Sequence, residues 1–547
     1  MTRKSWWNVL FSAIFFSAMS PASSIAATSQ GVRTISPPAT VTATQQKALV
    51  ITSPTLLVNF SLARTIDTLL GSSGTIPSVM TREAFLQTLL NSFTKGSGTN
   101  NGVLMPITPR PTEAALIPKN LLDPNHADFM RPVAVLNRMD LIPTDGSNCG
   151  EQRIIYEKGN GLDPINRMTL IFEAVMENPA PWQGVQGCRV YAQTWWDFQT
   201  QTDSKIKSQL DKLFYTALNV TVLPAVHFAH YGNPLGQIRI NTFVNDRVNN
   251  RFVDWMLREY RFVYSASADK YVPSIRTVAN SPWQEVYAPI NTASDPATLR
   301  TLKTLCQNEM VSTIVPQVFS VDTDAKTSDP DLTNLELISK LGALINGKCN
   351  GFENNSSTRS APTAPPIGFP TPALQARVDT KIAAIRPQLP YDVSSFFMLN
   401  RLNTQSCAGC HQLSNGAPIA PAVGGGSVDW PFSLGFVHID ESGQLSPLLK
   451  NFFLPTRFAL LSQFMASGAA AKSTTSTGTE TTTALSSSSV ATADTSATVS
   501  AANSLKSAQT LITSGTLSAA AEDALIQDQR DAEKAKPGAF FKIRPTH

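Results

Sequence analysis

Charge is sparse in this chain. Asp, Glu, Lys and Arg make up 15% of its 547 residues, and the formal net charge is +4. That is a low charged share for a globular protein and nearly neutral for the length. Nothing in the balance points to nucleic acid or an anionic membrane, and neither is expected as a partner. Past the N-terminus there is no apolar run of 18 residues, so no integral membrane span is expected. The strings H-E-x-x-H, G-x-S-x-G, G-x-G-x-x-G and the P-loop are all missing. Asp and Glu are plentiful, yet no pair stands out as an acid/base couple. Cysteine and histidine are rare, six of each.

Three of those twelve residues stand in one string, Cys407-Ala408-Gly409-Cys410-His411. C-x-x-C-H is the attachment signature of c-type haem. Each thiol can form a thioether to a vinyl group, and the adjacent imidazole falls beneath the iron as proximal ligand. With so few Cys and His, the string arises by chance roughly seven times in ten thousand such chains. A disulfide turn, a thioredoxin-like redox pair and half of a zinc site are the other readings of the same residues.

The N-terminus agrees with the haem reading. Arg3 and Lys4 precede an apolar stretch from Trp6 to Met19, Pro21 breaks it, and Ser24-Ile25-Ala26 offers small residues for cleavage. This predicts a signal peptide over residues 1–26 and a periplasmic or secreted product. In an oxidising compartment the four other cysteines suggest two disulfides, with three pairings open. Local closure favours Cys149–Cys188 and Cys306–Cys349, each loop worth roughly 3–4 kcal/mol on the chain-entropy model. Buried free thiols are the alternative.

The pattern predicts an α+β fold: a main domain with a mixed sheet, then a loop-rich, helical haem-binding segment and a disordered tail. Residues 27–50 read as a flexible leader. The α+β domain spans 51–350, with helices over Leu56 to Leu70, from Thr81 as N-cap, and over Asp203 to Leu218. Strands are expected over Pro132 to Leu141, Arg153 to Tyr156, Arg167 to Met176, Gln237 to Phe243 and Phe252 to Tyr264. Glu173 lies inside an apolar run, with Arg138, Asp140 and Arg153 in neighbouring strands, which predicts a buried ion-pair network. Residues 351–371 read as a linker and 372–465 as the haem segment. Residues 466–520 read as a disordered Ser/Thr/Ala-rich tail, and 521–547 as a short helix and the chain end.

The blocks NRMDLIPTDGSNCGEQRIIY, RMTLIFEAVMENP and GCRVYA upstream, with NTQSCAGCHQ and GFVHI downstream, give the chain a resemblance. Over roughly residues 130 to 460 it is similar to uncharacterised secreted bacterial proteins with a single late C-x-x-C-H, which look like mono-haem cytochrome c. The resemblance implies a shared architecture rather than a substrate. It also implies that Phe436 to His438 belongs to the same unit as the haem string.

The second iron ligand is open among His438, Met465, Met398, His227, His230 and an unfilled or water-bound position. His438 is favoured because it sits in an apolar Phe-Val-His-Ile run 27 residues after His411. His227-Phe228-Ala229-His230 has a chelating spacing but no nearby carboxylate or thiol. Three functions follow. One is a secreted mono-haem c-type protein in electron transfer or redox sensing, with a redox partner protein or small-molecule oxidant. Another is a haem-dependent peroxidase- or oxygenase-like enzyme. The third is a non-haem binding protein whose Cys407–Cys410 pair is oxidised.

Overall fold

The structure is a computed structural model that describes residues 40–72, 80–94, 97–100, 103–106, 109–143, 145–159, 166–232, 236–244, 255–265, 270–276, 289–318, 371–388, 394–404, 409–421 and 426–473. Seven strands form one sheet: β1 (Val50–Ile51), β2 (Met130–Arg138), β3 (Asn148–Lys158), β4 (Asn166–Glu177), β5 (Gln237–Val244), β6 (Met256–Ser265) and β7 (Lys270–Arg276). Spatial order follows chain order, and every neighbouring pair is antiparallel. The α+β class stands, but the expected mixed sheet is an antiparallel meander. Strand propensity and alternation locate strands without fixing their direction.

Successive side chains point to opposite faces, and the two faces differ in chemistry. Tyr156, Phe172, Ile238, Tyr260 and Phe262 belong to the apolar face and to the main core cluster. Helices α1 (Leu62–Gly71) and α2 (Arg82–Asn91) cover it. The ring of Phe85 stacks on Phe262 at 6.0 Å, and Thr65 Oγ1 bonds the Tyr156 hydroxyl at 2.6 Å. Thr81 caps α2 as expected, its Oγ1 accepting from Ala84 N. The single helix expected over Leu56 to Leu70 is two, a short turn Pro54–Leu57 and then α1. Ser61 restarts the chain by accepting from Arg64 N at 3.2 Å, the competition a Ser side chain offers to a continuing helix.

Further on, α3 (Arg189–Asp197) and α4 (Asp203–Asp211) follow the sheet's central hairpin. The helix expected to reach Leu218 closes earlier, in a π-turn over Lys212–Thr216, and Ala217 follows with φ 84°. Longer helices further on among the described residues are α5 (Ala297–Glu309), α6 (Pro372–Ile385), α7 (Ser395–Thr404) and α8 (Leu454–Ser473).

The other face of the sheet carries charge. Arg153 on β3 lies opposite Glu173 on β4, which lies opposite Gln237 on β5. The guanidinium of Arg153 stands 2.6 Å from Glu151 and 3.2 Å from Glu173. Arg239 reaches Glu173 at 3.5 Å and Glu259 at 3.2 Å, and Arg138 pairs with Asp140 at 2.8 Å. The buried network expected around Glu173 is present and extends one strand further.

Part of the stretch expected as a flexible leader, 27–50, is folded. Thr42 forms a capping box with Gln45, Ala48 to Ile51 are buried, and Val50 pairs with Leu136; residues 27–39 lie outside the described residues. The linker expected over 351–371 lies outside them too, apart from Thr371, which caps α6. Helix α8 runs to Ser473, past the expected start of the tail at 466; the rest of 466–520 and all of 521–547 lie outside the described residues. The segment after α6 is not a separate body: Ile419, Trp430, Ile439 and Phe453 share one apolar cluster with Val135, Ile154 and Phe172. Among the described residues no helix is long and apolar enough to cross a membrane.

Cys149 and Cys188 form a disulfide that ties β3 to the start of α3, as expected. Cys306 is disulfide-bonded as well; its expected partner Cys349 lies outside the described residues.

Candidate functional site

The C-terminal part of the described chain lies over the charged face of the sheet, through Arg167–Glu441 and Asn241–Phe436, and places His411 and His438 together. Their ring centroids are 4.7 Å apart and the planes are tilted by 45°. Both residues and Cys410 are buried, at 3%, 5% and 2% exposure. Cys410 keeps its thiol outside any disulfide, with Sγ 3.9 Å from His438 Nε2. Cys407 lies outside the described residues.

Each imidazole is anchored through Nδ1. His411 Nδ1 bonds the carbonyl of Phe436 at 2.9 Å. A carbonyl only accepts, so the proton sits on Nδ1 and Nε2 carries the lone pair a metal would use. His438 Nδ1 bonds Ser446 Oγ at 3.0 Å, while Ser446 N donates to the His438 carbonyl at 2.8 Å. Burial, then His411 and Arg457, holds the His438 pKa well below the ordinary imidazole value, so this ring is neutral.

The sheet supplies the frame behind these rings. Trp255, just before β6, stacks on His411 at 5.3 Å and on Phe436 at 5.7 Å. Its indole N–H donates to Asn241 Oδ1, and Asn241 Nδ2 donates to the same Phe436 carbonyl that holds His411, at 3.1 Å. Arg167 on β4 donates to the carbonyls of Leu434 and Gly435 and pairs with Glu441 at 2.7 Å. Gly435 and Phe436 both take positive φ, 66° and 67°. A Cβ on Gly435 would stand 2.8 Å from Arg167 Nη1, so the guanidinium needs glycine there. Phe436 has no such excuse, and its left-handed backbone is strain held by the surrounding bonds.

Between these rings and the sheet lies a cavity of about 30 Å³, with Glu157, Thr169 and Arg153 on the sheet wall and His411, His438 and Arg457 on the other. Burial pushes the Glu157 pKa well above the carboxylate range, outweighing the hydrogen bond from Thr169 Oγ1 at 2.7 Å. Arg457 lies over the Phe453 ring at 5.4 Å and approaches Asp140 at 3.8 Å from Nε, and that carboxylate already binds Arg138 through three contacts. Burial first, then the Arg138 charge, pulls the Arg457 pKa well down.

His411 and His438 are both anchored, buried and on one cavity, and their imidazoles would hold a haem iron. The space does not fit the macrocycle, because 30 Å³ admits little more than a water molecule. This is a closed pocket with the right side chains. Among the described residues no group of three or more His, Cys, Asp or Glu is placed to hold a bare metal ion.

The other ligand candidates lie elsewhere. Met398 is buried on α7, and Met465 on α8 offers its carbonyl to Arg189 at 3.4 Å; neither lines the cavity. His227 and His230 flank a short turn at 6.0 Å between rings, also away from the cavity. Burial, then His227, lowers the His230 pKa to about 4. The unfolded chain therefore binds a proton near pH 6.5 that the native chain refuses until about pH 4. Stability is complete above that window and falls through it on acidification, by roughly 3 kcal/mol for this residue. His230→Gln should flatten the loss in denaturant titrations at pH 7 and pH 4.5; an unchanged slope would refute the assignment.

Sequence reasoning missed Trp255 as a ring partner, along with Asn241, Arg167, Glu157 and Arg457. Trp255 read as one apolar position in an alternating strand, and the four polar residues carried no motif. The chain matches no protein-family model, no curated protein and no solved structure. The resemblance therefore rests on its sequence blocks alone.

Proposed function

We propose that the protein is a secreted or periplasmic mono-haem c-type protein for electron transfer or redox sensing. Cys407 and Cys410 would carry the haem through thioethers, His411 would be its proximal ligand and His438 its distal one. The observation that supports this is the pairing of His411 with His438, each anchored through Nδ1 on the wall of one buried cavity. Haem c, once bound, supplies one-electron chemistry at its iron. The chain supplies the rest. Phe436 O and Ser446 orient the two imidazoles, and Trp255, Phe436 and Phe453 exclude water around them.

A distal imidazole leaves no coordination position for a substrate, which favours a carrier or sensor over a peroxidase- or oxygenase-like enzyme. The partner is then a redox protein or a small oxidant that exchanges electrons without entering the pocket.

Expression in a host with c-type maturation is expected to give a haem stain that survives denaturing electrophoresis and disappears in Cys410→Ala with Cys407→Ala. A folded, colourless wild-type product would overturn the proposal.

A further inference from the structure

Cys410, His411 and His438 are all buried, and the cavity of about 30 Å³ beside the two rings admits little more than a water molecule. A larger molecule reaches these side chains only if the chain that covers them moves. What holds that chain down is therefore what controls the site.

One side chain of the sheet grips it at three residues. Arg167, at the start of β4, engages partners 267 to 274 positions later in the sequence with all three guanidinium nitrogens. Nε and Nη2 donate to the two oxygens of Glu441, at 2.7 and 3.1 Å. Nη1 donates to the carbonyls of Leu434 and Gly435, the latter at 2.8 Å. The two bonds to Glu441 are the forked geometry that makes Arg–carboxylate pairs directional. The side chains are only 10% and 2% exposed, so salt and water screen the pair little. Asn241 adds a bond to the Phe436 carbonyl at 3.1 Å.

The gripped backbone is wound left-handed, with φ 66° at Gly435 and 67° at Phe436. At phenylalanine that conformation is strained and persists only while its neighbours impose it. Release of the guanidinium would remove the restraint and let the strain relax away from the sheet. The sheet keeps its own strand pairing and its own apolar cover, so this opening does not require the rest of the fold to come apart.

We propose that Arg167 and Glu441 form a latch that holds residues 434–441 closed over the His411–His438 pair and keeps the Cys410 thiol out of reach. The latch governs access whatever the site binds. Its failure and that of the haem reading are therefore separate results.

The test reads the Cys410 thiol in the full chain, produced without c-type maturation and carrying Cys407→Ser so that the two thiols cannot pair. Iodoacetamide labels the thiol only when it is uncovered, and peptide mass locates the label. Glu441→Gln keeps the shape of the side chain and removes its charge. It should speed labelling of Cys410 at least tenfold over the Cys407→Ser parent. Low denaturant should change the faster rate little, the mark of a local opening that exposes little surface. Gly435→Ala attacks the same grip from the other side, because its Cβ would stand 2.8 Å from Arg167 Nη1. It should speed labelling as well, and it serves if the glutamine variant does not fold. Labelling no faster than in the parent would overturn the latch. So would a faster rate that climbs with denaturant as steeply as global unfolding, since that is a general loss of stability.

Discussion

Replacing His438 with alanine is expected, on the haem proposal, to convert a low-spin haem into a high-spin one and to open it to carbon monoxide. The imidazole is a strong-field ligand, and its removal leaves a position the surrounding apolar side chains cannot fill. Ser446 would lose its partner at Nδ1, but its backbone bond to residue 438 survives the change, so the loop should hold its course. The effect should appear as a loss of the low-spin absorption bands and a gain in carbon monoxide affinity of at least tenfold, on the order of 1.4 kcal/mol or more. Unchanged spectra in His438→Ala would assign the distal position to another residue. A wild type that is already high-spin would favour the enzyme over the carrier.

The second large effect concerns the fold rather than the haem. Glu173→Ala should cost about 3–5 kcal/mol, the usual penalty for removing one partner of a buried ion pair. Glu173 is fully buried and stands between Arg153 at 3.2 Å and Arg239 at 3.5 Å, with the Gln237 amide donating to it as well. The alanine leaves two guanidinium groups short of counter-charge in a place water does not reach. Denaturant unfolding of wild type and variant gives the difference directly, provided the slope is unchanged. A loss below about 1 kcal/mol would mean that Glu151 and Glu259 carry the two arginines alone.

Much of this arrangement was legible in the chain. Alternation in Gln237 to Phe243 separated Ile238 and Ile240 from Arg239 and Asn241, and those pairs do lie on opposite faces. A carboxylate inside the run from Thr169 to Val175 announced a buried network, because an unpaired charge there would be intolerable. His411 and His438 were singled out from the sequence, and their rings lie 4.7 Å apart in the structure. Strand direction was not readable, since alternation looks the same in either sense. Arg457 was not readable either. Nothing in Leu-Pro-Thr-Arg-Phe distinguishes a surface arginine from one whose donors end in a dry cavity; only tertiary packing decides that. Trp255 hid for the converse reason: as a strand aromatic it already had a sufficient role in the core.

The two-faced sheet also bears on the order in which the molecule can be assembled. Its seven strands are finished by Arg276, whereas Cys410 comes more than 130 residues later. A chain delivered from its N-terminus can therefore complete the sheet, and cover the apolar side with α1 and α2, before the histidines arrive. The side left waiting is the one rich in Arg and Glu, which water can solvate meanwhile; a bare apolar side would be a template for aggregation. Cys410 ends 2% exposed, out of reach of any attachment enzyme once the last segment has docked. On the haem proposal, thioether formation would have to happen in the interval between delivery and docking. A delay in folding would then help attachment, and a variant that docks too quickly would bury the Cys410 thiol unmodified.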